Sequence, residues 1–146
     1  MDIVRDLAVI DRLCLREFPE AYGRTDVGAG GPGYLIAELR TSGDFYEDDG
    51  SDGEETAAQF EAERDALGLL LAERWGETHA FGLGGVFLRS QEGENIPEPW
   101  ATLAAHVPDV QAWHTDSGRW VALGVSHWGA ELPLQLLAVV TETEPP

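Results

Sequence analysis

The chain has 146 residues, 27 of them acidic and nine basic, for a formal net charge of -18 with histidine neutral. That length predicts a single domain over 1–146, and 43% hydrophobic residues are too many for a disordered chain. The charge repels phosphate backbones and anionic bilayers at long range, so no direct nucleic acid and no membrane are expected as partners. All nine bases are arginine. Without lysine, Schiff-base chemistry and a Walker-type phosphate loop are both excluded. Cys14 is the lone cysteine, and MDIVRDLAVIDRL at the N-terminus has neither the basic flank nor the apolar run of a secretory leader. A cytoplasmic location is expected.

From Asp2 to about Phe18, Ile3, Leu7, Ile10, Leu13 and Cys14 recur at helical spacing, and Pro19 ends the helix. The stretch from Tyr22 to Gly33 contains GAGGPG and has no periodicity, which predicts a loop; Tyr34 to Arg40 reads as a strand. Between Thr41 and Glu63 there are nine acids and no base, half the net charge in 23 residues. Composition predicts a flexible acidic loop over about 41–55, then a helix from about Glu54 to Trp75 with Phe60, Leu67, Leu70 and Leu71 on one stripe. Acids in its first turn suit the helix dipole. Val86 to Arg89 reads as a strand, and Pro97 to about His106 as a short helix.

The last forty residues predict a meander: Asp109 to Thr115, Arg119 to Trp128 and Leu132 to Thr141, joined by DSG and GAE. If these tight connections set the register, Trp113, Val121, Leu123, Val125, Leu137 and Val139 share one face. Trp120, Ala122, Gly124, Ser126, Trp128, Leu132, Leu134, Leu136, Ala138 and Val140 share the other. Both faces are apolar and both need cover, from helices or from a second protomer. The predicted fold is therefore α+β, with a C-terminal three-stranded antiparallel meander inside a mixed or antiparallel sheet packed by two or three helices. Small residues at 122, 124 and 126, with Trp120 and Trp128 at the ends, either let a helix lie close or form a pocket or dimer face around Trp120, Ser126 and Trp128.

Motifs for catalysis are weak. His114 and His127 fall on opposite faces about 20 Å apart at ~3.4 Å per residue; His106 can approach His127, but that pair lacks HxxxH or HExxH spacing, so no metal and no cofactor are assigned. LGVSHWG misses the nucleophile elbow at its second glycine, and Cys14 sits in an apolar stripe. GAGGPG precedes a strand instead of a helix and lacks the bases a phosphate needs. Asp48, Asp52 and Gly53 match positions one, five and six of an EF-hand, yet Gly50 and Gln59 stand where two further ligands belong. No catalytic residue is named.

What remains is an anionic surface with aromatics in it: Asp44, Phe45, Tyr46, Glu47, Asp48, Asp49, Asp52, Glu54 and Glu55. Carboxylates steer a basic protein partner and aromatics anchor it, whereas the same composition also suits a solvated loop. The expected function is an acidic binding protein that inhibits a basic protein, as an immunity protein or antitoxin does, DNA mimicry being one variant. The alternatives are a small-ligand or enzymatic domain with a pocket over Trp120 and Trp128, and a structural homodimer subunit.

Overall fold

A computed structural model describes residues 3–42, 51–127 and 133–146, with the backbone alone at 51–52. Among the described residues there are four helices and a seven-stranded, wholly antiparallel sheet, an α+β fold. The elements run α1 (Ile3–Leu15), β1 (Gly23–Arg24), β2 (Gly28–Gly31), β3 (Tyr34–Thr41), α2 (Ser51–Trp75), β4 (His79–Gly82), α3 (Gly84–Gln91), α4 (Trp100–His106), β5 (Asp109–His114), β6 (Trp120–His127) and β7 (Leu134–Thr141). The sheet order is β1-β2-β3-β7-β6-β5-β4, so the C-terminal meander β5-β6-β7 joins an N-terminal one through the β3–β7 pair.

Helices cover both faces of the sheet. α1 contributes Ile10 and Leu13, and α2 contributes Phe60, Leu67 and Leu71, to a core over Leu35, Ala37, Leu39, Trp113, Val121, Leu123 and Val125. On the opposite face, Val86 of α3 and Trp100 and Leu103 of α4 pack with Tyr34, Ile36, Val110, Ala112, Ala122, Leu137 and Val139. Of the apolar stripes expected for α1 and α2, Ile10, Leu13, Phe60, Leu67 and Leu71 are 6% exposed or less, while Ile3, Leu7, Cys14 and Leu70 are only partly buried. Arg40 ties the first layer to the sheet. A bulge between Glu38 and Arg40 turns the Arg40 guanidinium toward the α1 side, where it donates to both Asp6 carboxylate oxygens at 3.0 and 2.7 Å and lies 3.9 Å from Glu63 of α2.

Four expectations need correction, and one strand was not foreseen. GAGGPG is not a loop: Gly28–Gly31 is β2, paired with β3 from Gly28↔Ala37 to Gly31↔Tyr34. A Cβ at Gly28 would sit on the Ile36 carbonyl oxygen, so the glycines mark close strand approach and leave no apolar alternation to read. Val86 to Arg89 lies inside a helix, α3, because a short apolar run has no periodicity of its own. The four-residue β4 carried no signal and was not expected. Of the flexible loop expected over about 41–55, residues 43–50 lie outside the described residues, while Thr41 closes β3 and 51–55 belong to α2. The register of β7 is one residue from the expected one. His127 pairs with Leu134, so Leu136, Ala138 and Val140 join Val121 and Leu123 beneath α1 and α2, while Leu137 and Val139 turn to α3 and α4.

Candidate functional site

The small-residue track on β6 is a packing device. The side chain of Val107, just past α4, fills the space above Gly124: a Cβ there would lie 2.7 Å from Val107 Cγ1 and 3.2 Å from Val110 Cγ1. Ser126 is fully buried and its Oγ has no hydrogen-bond partner among the described residues. Trp128 lies outside the described residues, so the pocket expected between it and Trp120 is seen only from the Trp120 end. There the Trp120 ring, partly buried, stacks on His114, its cross-strand neighbour, at 4.7 Å between centroids, and takes an edge contact from His79 at 5.8 Å. His79 in turn stacks on Phe81 at 6.2 Å. An aromatic ladder thus runs along β4, β5 and β6, two of its members on the strand the sequence did not reveal.

Three clefts are open among the described residues. One, of about 430 Å³, lies between α3 and α4 and is lined by Phe87, His106, Pro108 and His127. A second, of about 100 Å³, lies between α4 and the sheet, with Ile36, Leu103, Val107 and Leu137 against Arg24, Glu38, Thr102, His106 and Gln135. His106 and Val107 border both. Burial pushes the His106 imidazole below its usual range, which keeps it uncharged at neutral pH. His106 and His127 both line the first cleft. A third cleft, of about 340 Å³, separates α2 from β4 and is lined by Arg64, Ala80, Gly82, Asp109 and Gln111. Among the described residues no three His, Cys, Asp or Glu side chains converge as metal ligands. Cys14 is half-buried against the first core, and burial raises its thiol above the ordinary range, with Asp11 adding to the rise.

Of the acidic candidates, Asp44, Phe45, Tyr46, Glu47, Asp48 and Asp49 lie outside the described residues, as does the Asp52 side chain. Glu54 and Glu55 are exposed at the start of α2, and Glu61 and Glu73 are exposed further along it. The arginines do not answer this charge. Six of them pair within the molecule: Arg16 with Asp26, Arg24 with Glu38, Arg40 with Asp6 and Glu63, Arg64 with Asp65 and Asp109, Arg74 with Asp11, and Arg89 with Glu94. The Arg24 guanidinium holds the Glu38 carboxyl below the ordinary range. Arg119 donates to the Leu13 and Arg16 carbonyls and lies 4.1 Å over the Phe18 ring. This internal use of cations was invisible in the sequence, because most of these pairs join elements distant along the chain.

Among the described residues no helix is long and apolar enough to cross a membrane. Comparison with known proteins gives no match: no family model, no curated protein and no solved structure is similar to this chain.

Proposed function

We propose that this protein is a small acidic binding protein of the cytoplasm that neutralises a basic protein partner, in the manner of an immunity protein or antitoxin. The observation that carries the reading is the disposition of charge: seven of nine arginines are spent on internal contacts, while Glu54, Glu55, Glu61 and Glu73 face solvent along α2 with no ion pair among the described residues. Half of the net charge lies between Thr41 and Glu63. An anionic surface whose neighbouring cations are already paired accelerates encounter with a cationic protein and repels nucleic acid. Phe45 and Tyr46 supply the apolar contact that charge alone lacks.

The test is capture from a lysate of the source organism at low and at high salt, followed by association kinetics with the basic protein retained. Replacing Asp48, Asp49 and Asp52 by Asn, or Glu54, Glu55 and Glu61 by Gln, is expected to slow association by about tenfold at low salt and to flatten its salt dependence. On-rates equal to the parent's remove these acids from the mechanism. A column that retains no basic protein at low salt removes the reading itself.

One observation favours a second reading, a small-ligand domain: the two clefts that meet at His106 and Val107 combine an apolar floor with hydrogen-bonding groups at the rim. Its test is a thermal-shift screen with small metabolites, in which a hit must be lost in the variant His106→Ala.

A further inference from the structure

β4 and β1 are the two edges of the sheet, and they differ in how they end it. β1 has two residues. β4 has four, and its sequence, His-Ala-Phe-Gly, has no carboxylate, ammonium or guanidinium charge, no proline, and no bulge in its pairing with β5.

The register says which backbone groups are left open. β4 pairs with β5 as His79↔Ala112, Ala80↔Gln111, Phe81↔Val110 and Gly82↔Asp109, and the Leu83 amide continues the ladder by donating to the Pro108 carbonyl at 2.8 Å. In an antiparallel ladder hydrogen-bonded pairs alternate with non-bonded ones. Counting back by two from Leu83, Phe81 and His79 are the residues bonded to β5. Ala80 and Gly82 therefore direct their N–H and C=O groups away from the sheet.

The two sides of this edge are chemically distinct. Gln111 and Asp109, the partners of Ala80 and Gly82, face α2: the Gln111 amide donates to Asp65 at 2.7 Å, and Arg64 to Asp109 at 3.0 Å. The cleft between α2 and β4 is thus lined by Arg64 and Asp109, and Asp65, bound to both Arg64 and Gln111, stands beside it; each carboxylate side chain is more than half exposed. Gly82 leaves it open, since a Cβ there would meet nothing within 4 Å. On the other side His79 and Phe81 present the end of the aromatic ladder.

We infer that the β4 edge receives an extended strand of the basic partner, an inference that rests on the reading of the protein as a binder of basic proteins. The added strand bonds to the outward groups of Ala80 and Gly82. Its alternate side chains fall on opposite sides of the sheet. Arginines or lysines on the α2 side reach the exposed carboxylates of Asp65 and Asp109, which outnumber the Arg64 guanidinium between them, and apolar side chains on the other side cover His79 and Phe81. Charge complementarity selects this occupant over a second copy of the chain, whose net charge of -18 opposes self-association.

The probe is a capped peptide of alternating arginine and valine, labelled for fluorescence anisotropy, alongside a copy N-methylated on alternate residues. Ala80→Pro removes an outward N–H that β5 does not use, and an edge strand tolerates proline at such a position; Ala80→Ser retains the N–H. Circular dichroism and a cooperative melt establish that both variants fold. The parent and A80S are expected to bind the peptide, with A80P and the N-methylated peptide each weaker by about tenfold, as the loss of one or two hydrogen bonds requires. Equal binding by A80P overturns the inference, because charge alone then accounts for the affinity, and so does an absence of binding by the parent at low salt. A homodimer in sedimentation that A80P dissociates also overturns it, by assigning the edge to a second copy. Retention of the basic partner from lysate separates the premise from the inference: if A80P retains it as the parent does, the charge reading stands and the edge does not.

Discussion

Gly124 shows what one missing side chain does. Its φ is not positive, so glycine is not required by backbone conformation; it is required by Val107, whose Cγ1 would be 2.7 Å from an added Cβ. Val107 is a fully buried, β-branched residue whose backbone N–H donates a hydrogen bond to the Leu103 carbonyl at the end of α4, and it has little room to move. Gly124→Ala is expected to destabilise by about 1–3 kcal/mol through overpacking. Gly82→Ala, where nothing lies within 4 Å, is expected to be neutral or stabilising by up to about 1 kcal/mol through the unfolded chain. Urea midpoints of the two variants check the pair, and equal shifts would mean that α4 is not seated on β6. The small-residue track was legible in the sequence as an aid to close packing. The glycines of β2 were not, because close backbone approach and loop flexibility produce the same composition.

At the scale of elements, the Asp6–Arg40–Glu63 cluster fixes α1 and α2 to β3. The side chains of Asp6 and Glu63 are 2% and 9% exposed, and Oε2 of Glu63 has no hydrogen-bond partner among the described residues. Arg40 is their shared cation. Arg40→Ala would leave two carboxylates buried without it, at a cost of about 3–5 kcal/mol. Replacing all three by apolar residues of similar volume is expected to cost far less, since no charge then remains buried. Denaturant unfolding of the single and triple variants decides this; a single variant as stable as the parent would show that water reaches the site. Helices of more than ten residues, α1 and α2, were readable from periodicity, and so were β3, β5 and β6. Among the short elements, α4 was marked by the proline at its start, whereas β4 has too few residues for alternation and α3 too few for a helical stripe. The face of β7 was misread for a different reason: its register was assumed from a tight turn, and His127 pairs with Leu134 instead. One residue of register exchanges every side chain between the two cores.

At the scale of the whole molecule, salt acts on the fold and on binding with opposite signs. A net charge of -18 on 146 residues repels itself in the compact state, while three of the eight ion pairs among the described residues, Arg16–Asp26, Arg74–Asp11 and Arg89–Glu94, leave 39% or more of each side chain in solvent, and the more buried pairs are screened less by salt. Exposed pairs of this kind contribute about 0–1 kcal/mol each, so self-repulsion outweighs them. Raising ionic strength from about 0.01 to about 0.5 M shortens the screening length from about 30 Å to under 10 Å. The melting temperature is therefore expected to rise with sodium chloride over that range. Association with a basic partner is expected to slow over the same range, because the field that steers encounter is the one being screened. A melting temperature that falls with salt would mean that the internal arginine pairs stabilise the fold by more than self-repulsion weakens it. If it rises, loss of binding at high salt cannot be ascribed to unfolding. The charge then weakens the fold, while the same charge speeds encounter with the partner.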